Sequence, residues 1–496
     1  MKWTLLFFTF AFNLSYALYS QPQIQEIRKL KLDEAIHIAL VQSPDALNAK
    51  QTFRANFWEY KSFKASYLPA LRFNAVLPEY NRSIQKITFP DGTEGYVQQQ
   101  YTNLSGTLSL NQQIGFSGGN VFLSSGLQRT ENFSDTSLVY FLSTPINIGL
   151  TQPLFQFNQY RWDRKIQPMN YEQAKRKYLE DVEQIAITTV NYFFSLLQAQ
   201  IEKKIAHTNL HNYDTLFRIA QGRYQLGKIA ENYLLQLELN FLKAQAAVDM
   251  VELHLGNALF QFKSFLRIQD SVPIELIPPS DIQFFSIDPD LAVQEANKNT
   301  SASLNFNKRL LEATRDVNKA RWEGRFDAEL TAVFGLTQQA HQFADVYKNP
   351  LDQQQVAFSV NIPLLDWGVA KGKIKMAQSE QEIIRTSVEQ EIIDFQQNIY
   401  LKVMQFNMQQ KQVMITAKSD TVARKSYYVT KGRYFIGKIN SILDLNNAQI
   451  ETDNAQKAYY LALQSYWRNY YEIRKLTLYD FKSNTLIPFS FLNIKM

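Results

Sequence analysis

The sequence of 496 residues contains no cysteine. That excludes disulfides, thiolate metal sites, thiol nucleophiles and a lipid anchor on an N-terminal cysteine. Glycine is scarce at 17 residues, and no Walker A or Gly-x-Gly-x-x-Gly sequence occurs, so a phosphate-cradling loop is missing. The five histidines, His37, His207, His211, His254 and His341, are scattered. His207 and His211 stand four apart on a predicted helix, but no matched set of further ligands accompanies them. Beyond the first residues, no apolar run approaches the 18 or so needed for a transmembrane helix. The net charge of +6 is weak for so long a chain and gives no argument for nucleic acid. Asp and Glu are dispersed, as solvated or inter-helix charges are, and no catalytic set or cofactor site emerges.

Residues 1–20 read as a secretory signal: Lys2 supplies the positive start, Trp3 to Phe12 is apolar, and Ser15-Tyr16-Ala17 suits cleavage. The chain is therefore expected to be exported, and to act in a membrane only through strands.

What is present is a repeat. Residues 222–229, Gly-Arg-Tyr-Gln-Leu-Gly-Lys-Ile, return at 432–439 as Gly-Arg-Tyr-Phe-Ile-Gly-Lys-Ile, a spacing of 210 with six of eight positions identical. Pro153-Leu154 returns at the same spacing as Pro363-Leu364. A repeat of this size argues for one pseudo-symmetric unit built twice.

Repeat 1 is placed at 21–270 and repeat 2 at 289–476, with a Pro-rich connection at 271–288 and a patternless tail at 477–496. Repeat 1 opens with helices over 30–67, where Leu32, Ala35, Ile36, Ala39 and Leu40 share a face and Ser43-Pro44 restarts the chain. The period then becomes two over 69–152, in Leu71, Phe73, Ala75 and Leu77 and again in Ile146, Ile148 and Leu150. Ser117-Gly118-Gly119-Asn120 marks a turn, and polar loops are expected near Pro90-Asp91-Gly92 and Glu131-Asn132. A long helix follows over 157–221, then a tip at 222–229 and a return helix over 231–266. Repeat 2 runs through helices (289–325), strands (327–364), a long helix (368–431), a tip (432–439) and a return helix (441–476). Helices of some 60 residues, about 90–100 Å at 1.5 Å per residue, must pack side by side with similar rods. The alternating strands fit a membrane or a soluble sheet with one buried face equally well.

Helices, strand pair, very long helix, Gly-containing turn and return helix, done twice behind a signal, resemble the TolC family of outer-membrane efflux proteins. The motifs that carry the resemblance are Arg433-Tyr434-x-x-Gly437-Lys438-Ile439 with Asp444-Leu445 and Ala448-Gln449, Pro363-Leu364-x-Asp366-x-Gly368, and Arg223-Tyr224-x-x-Gly227-Lys228-Ile229. The resemblance implies a mainly α fold with a β-barrel: a long coiled-coil helical tunnel plus a transmembrane barrel, formed by a homotrimer in the outer membrane of a Gram-negative bacterium, with a periplasmic extension. It implies contact with outer-membrane lipid, and a periplasmic adaptor docking at Arg223, Tyr224, Gly227, Lys228, Ile229, Arg433, Tyr434, Gly437, Lys438 and Ile439. Through the adaptor it implies an inner-membrane pump or a secretion ATPase. Asp444, close behind the second tip, is the candidate gate; a carboxylate completing a helix start is the other reading. The implied role is an efflux duct for small molecules, with the duct of a type I protein secretion system as the alternative and a soluble periplasmic coiled-coil scaffold as a distant one. No enzymatic activity is implied.

The repeats differ in one place. Residues 104–130 read as an added β-hairpin in repeat 1. It either brings each chain to six membrane strands, where the family has four, or packs outside the barrel.

Overall fold

The structure is a computed structural model, and it describes residues 27–133, 137–269, 272–280, 282–436 and 442–489. The expected signal at 1–20 lies outside the described residues, as do Gly437, Lys438 and Ile439 of the second tip.

In chain order the elements are β1 (Arg28–Leu30), α1 (Leu32–Gln42), α2 (Pro44–Ala65), β2 (Ala70–Thr88), β3 (Glu94–Ile114), β4 (Gly119–Phe133), β5 (Ser137–Leu154), α3 (Gln159–Gln225), α4 (Glu231–Leu266), β6 (Ile274–Leu276), α5 (Pro289–Asn299), α6 (Ser301–Glu323), β7 (Asp327–Ala340), β8 (Leu351–Asn361), α7 (Val369–Phe435), α8 (Ile442–Thr477), β9 (Tyr479–Asp480) and β10 (Thr485–Leu486). The two long helices, α3 and α7, have the same length of 67 residues. No described helix is long and apolar enough to cross a membrane.

The chain divides into two compact units. One comprises residues up to Ser43 together with Thr189–Gln283. Its core is aromatic and aliphatic: Phe193, Phe194, Phe262 and Leu266 are fully buried, and the Phe193 and Phe262 rings meet edge to face at 6.4 Å. Here β1 pairs in parallel with β6, a strand inside the Pro-rich connection that sequence periodicity did not reveal. Three residues are too few to show a period. The Gln200 side chain of α3 serves β6, donating to the Ile274 carbonyl at 2.7 Å and accepting from the Leu276 amide at 3.1 Å.

The other unit, Pro44–Thr188 with Phe284–Met496, repeats the device. Gln410, which is 210 residues from Gln200, donates to the Phe285 carbonyl. Beside it the Asn407 amide brackets Ile287, accepting from its N–H at 3.1 Å and donating to its carbonyl at 2.9 Å. Each long helix thus satisfies backbone groups lying against it, those of strand β6 in the first unit and of the irregular stretch at 285–287 in the second. Phe406 stacks on Tyr466 at 5.4 Å and forms the centre of this core.

The same unit holds a six-stranded antiparallel sheet in the order β2-β3-β4-β5-β7-β8. The added hairpin is not packed outside. It is β3 and β4, longer than the expected 104–130, and it forms the interior of the sheet. Glu131 and Asn132, expected in a loop, lie in β4 opposite Val139 and Leu138 of β5. Their polar side chains mimic a turn signal, yet the ladder continues because each backbone group has a partner on both sides. The tail expected to lack pattern carries the small antiparallel pair β9–β10.

A buried ion pair joins distant chain segments in this unit. Arg474 of α8 donates to both oxygens of Glu183 on α3, at 2.8 and 2.9 Å, and to Asp480 at 3.0 Å. Burial pushes the Glu183 carboxyl up, and the Arg474 guanidinium opposes that shift. Removing one partner from such a pair costs about 3–5 kcal/mol, because the other charge is left buried. Arg474→Met is therefore expected to lower the thermal midpoint strongly, and Glu183→Leu/Arg474→Met less than the single change. In Arg474→Met nothing opposes the upward shift at Glu183. A carboxyl whose folded pKa exceeds its unfolded value stabilises the fold at low pH and loses that contribution as pH rises through the folded value. The deficit of Arg474→Met relative to the wild type should widen as pH rises above the ordinary carboxylate range, as thermal scans across pH will read.

Candidate functional site: a two-faced sheet and two helical tips

Strand partners project to the same side of a sheet, and successive residues to opposite sides. One side of this sheet is apolar across nearly its whole width. Leu71 pairs with Leu110, Leu110 with Leu123, Leu123 with Ile148 and Ile148 with Phe334. A neighbouring row runs Val121, Leu150, Ala332, Val356. Phe73, Ile148, Phe334, Val356 and Phe358 on this side are exposed in the single chain. The opposite side is polar: Arg72, Ser109, Ser124, Asn147, Gly335 and Gln353 are successive partners. Gly149 sits on that side because the Phe122 ring lies across it, and an added Cβ would come within 2.1 Å of that ring.

Strands of 11 to 21 residues with one greasy and one wet face match a membrane span, which takes about 9–11 tilted residues. The end of the sheet nearest the helices adds a belt. Leu68, Phe116, Phe155, Phe326, Leu364 and Trp367 occupy its strand–helix junctions and its β3–β4 turn, and all are exposed. Apolar and aromatic side chains at such a level suit a membrane–water interface.

The Pro363-Leu364-x-Asp366-x-Gly368 motif is the start of α7. Asp366 accepts from the Gly368 amide at 2.9 Å and the Ala370 amide at 2.8 Å, and these bonds, Ala370's first, hold its carboxyl below the usual carboxylate range. Asn158 does the corresponding work for α3, accepting from the Arg161 amide at 3.1 Å. Unlike a carboxylate, its amide also donates, to the carbonyls of Gly115 and Phe116 in the β3–β4 turn.

The first tip ends α3 later than the expected 221, at Gln225. The Lys228 amide bonds the Arg223 carbonyl at 2.9 Å and the Gly227 amide bonds the Tyr224 carbonyl at 2.8 Å. With Gly227 at φ 67°, this is a Schellman helix stop. Nothing lies within 4 Å of a Cβ built on Gly227, so backbone conformation alone requires glycine there. Tyr224 and Lys228 are exposed, and Arg223 and Ile229 partly so. At the second tip Arg433 is exposed, whereas Tyr434 is buried within its unit at 3 % exposure and presents no ring to solvent. Two residues escaped the sequence reading. Leu226 and Ile436, again 210 apart, are 72 % and 67 % exposed, so both tips carry a bare apolar side chain at the same repeat position. An apolar residue kept at equivalent places in both turns was the available signal.

Asp444 is exposed on the first turn of α8. With Asn447 and Glu451 it borders a groove of about 600 Å³ whose other wall is α7, through Ser419, Ser426 and Thr430. Among the described residues no group of three or more metal-ligating side chains occurs. His207 lies 3.4 Å from Glu252, but Lys203 holds the same carboxylate oxygen at 2.9 Å, an arrangement of charge pairing.

Gly227→Val should destabilise the first tip locally by about 1–3 kcal/mol, since a β-branched residue tolerates positive φ poorly. The expected result is faster amide exchange and proteolysis over 222–230 with unchanged protection in the six-stranded sheet.

The sequence profile of the outer membrane efflux protein family matches residues 120–264 and 311–477, well over half the chain. No curated protein matches by sequence. Solved structures do match by fold. The CmeC outer membrane channel of Campylobacter jejuni aligns with a TM-score of 0.63 at 16 % identity, over 90 % of this chain and 85 % of that one. The outer membrane protein VceC of Vibrio cholerae aligns with a TM-score of 0.61 at 14 % identity, over 90 % of this chain and 95 % of that one. The outer-membrane channel OprN gives 0.63 at 16 % identity, over 90 % and 89 %. The shared fold joins a helical tunnel segment to β-barrel strands, and it explains why a helix-dominated chain carries a sheet with a lipid-compatible face. The chain belongs to the outer membrane efflux protein family and is an outer-membrane efflux channel.

Proposed function

We propose that three copies of this chain close one barrel in the outer membrane and one helical tunnel on its periplasmic side, and that a periplasmic adaptor grips the tips and links the duct to an inner-membrane pump. Small molecules are the proposed cargo. The observation that carries the reading is the sheet itself: its apolar side spans nearly all six strands, while among the described residues β2 and β8 each pair along one side only. An unpaired strand edge in lipid costs several kcal/mol per unsatisfied group, so the edges require another chain. The chain performs no chemistry in this role. It supplies a passage, and energy enters through the pump.

The tips fit docking. Each begins at the end of a long helix, with an exposed apolar residue, Leu226 or Ile436, beside exposed Tyr224 and Lys228 or Arg433, and the first is a tight turn. Asp444 stands close behind the second tip, where three-fold symmetry turns one carboxylate into a ring of three. Such rings favour cations. As a gate it would border the α7–α8 groove, so that opening that groove moves the carboxylate.

Membrane fractions should hold the protein as a heat-labile trimer. A monomer in mild detergent, found in the soluble periplasm, overturns the duct. Leu226→Asp/Ile436→Asp should preserve trimers while abolishing crosslinks to the adaptor and export; persistence of both refutes docking through these turns. Single-channel recordings test the gate: the wild type should be cation-selective with low conductance, and Asp444→Asn less selective. Unchanged selectivity would return Asp444 to the role of a helix-start carboxylate.

A further inference from the structure

We infer that the barrel contains 18 strands, six from each of three chains, and is about half again as wide as four strands per chain would give. The inference rests on the trimeric reading and concerns how the two free sheet edges of each copy are joined: β8 of one copy to β2 of the next.

Three observations carry it. First, β3 and β4 are interior strands, not appendages. β3 pairs with β2 over nearly its whole length and with β4 over fourteen consecutive residues, and β4 pairs onward with β5. Removing them from the barrel would mean breaking the ladders on both sides.

Second, β3 and β4 carry the same division of faces as their neighbours. Leu104, Leu108 and Leu110 of β3 and Val121, Leu123 and Leu127 of β4 share the apolar side, and Ser105, Thr107, Ser109 and Ser124 the polar side. A hairpin covering the outside of a barrel has no use for that alternation, whereas a strand between lipid and water requires it.

Third, the β3–β4 turn is fastened to the helix–strand junctions on either side. Gln112 donates to the Tyr67 carbonyl at 2.8 Å, Asn158 to the Phe116 carbonyl at 3.1 Å, and Gln152 to the Ser117 carbonyl at 3.1 Å. The exposed Phe116 thereby stands in the junction belt. The hairpin therefore begins and ends at the level where the other strands leave their helices.

Parity is consistent with closure. The strands alternate in direction across the sheet, so the outer strands β2 and β8 run oppositely. A β8–β2 contact between copies is then antiparallel like every other pair. With strands about 4.8 Å apart and tilted about 40°, 18 strands enclose a diameter of about 36 Å, against about 24 Å for 12. Barrels of 16–18 strands leave an aqueous channel. Here its lining is largely Ser, Thr, Asn and Gln, so the barrel imposes neither a narrow size limit nor a strong charge preference, and discrimination falls to the helical part of the duct.

Because the chain has no cysteine, one introduced thiol gives one spin label per chain. Ile148 and Val121 are exposed, so Ile148→Cys and Val121→Cys remove no core packing. Dipolar distances between labels in the full-length protein in lipid should centre on about 31 Å at both sites after allowance for the label; a 12-stranded barrel gives about 21 Å at Ile148. Leu123→Cys should be open to oxygen dissolved in lipid and Ser124→Cys to a water-soluble nickel chelate. A separation near 21 Å at Ile148, or equal nickel access at 123 and 124, overturns the 18-stranded barrel and leaves the trimer standing. Absence of dipolar coupling together with a single-chain mass overturns the trimeric duct, and this inference with it.

Discussion

In lipid, every backbone N–H and C=O of a strand must find its partner in protein, because no water is there to substitute. The rest of this structure depends on that constraint. The interior strands of the sheet meet it with neighbours on both sides, and among the described residues the outer strands β2 and β8 meet it on one side only. A sheet of this kind is incomplete as a single chain. The same constraint explains why the strands alternate so regularly: one-residue slippage would turn Leu71, Leu110, Leu123, Ile148 and Phe334 to the wet side together.

Outside the membrane the same requirement is met by side chains. Gln200 and Gln410, one in each repeat, satisfy the backbone lying against their helices. Asp366 and Asn158 occupy positions that do not coincide under the repeat, yet each satisfies free amides at the start of a long helix. Their difference follows from chemistry. A carboxylate only accepts, which suffices where the strand simply becomes a helix. An amide also donates, and Asn158 uses its donors on the β3–β4 turn, which exists only in repeat 1. The hairpin and its fastening residue form one local departure from the internal symmetry.

The first tip shows the opposite economy. Conformation there is set by a handful of backbone bonds and one positive φ at Gly227, with no packing against that glycine. Side chains around the turn are free to face outward, as Leu226 does. A turn held by backbone geometry can change its exposed residues without losing its shape, which suits a surface that must match a partner.

The sequence by itself determined the duplication, the long helices, the two-residue period of the strands and the Gly-containing turn of the first repeat. Each is a local property: a motif recurring after 210 residues, 60-odd residues with hardly a breaker, alternation over a span of ten. It also carried the family, through the turn and Pro-Leu motifs. Tertiary structure alone decided where the hairpin sits, because the pattern of Leu104, Leu108 and Leu110 is the same whether their neighbours are lipid, another sheet or nothing. It decided that Tyr434 is buried while Tyr224 is not, although both stand in the same motif. And it decided the Arg474–Glu183 pair, whose partners are 291 residues apart. Periodicity records which face a residue belongs to. Register, burial and long-range ion pairs depend on which other segment arrives at that face, and that is fixed only when the chain closes on itself.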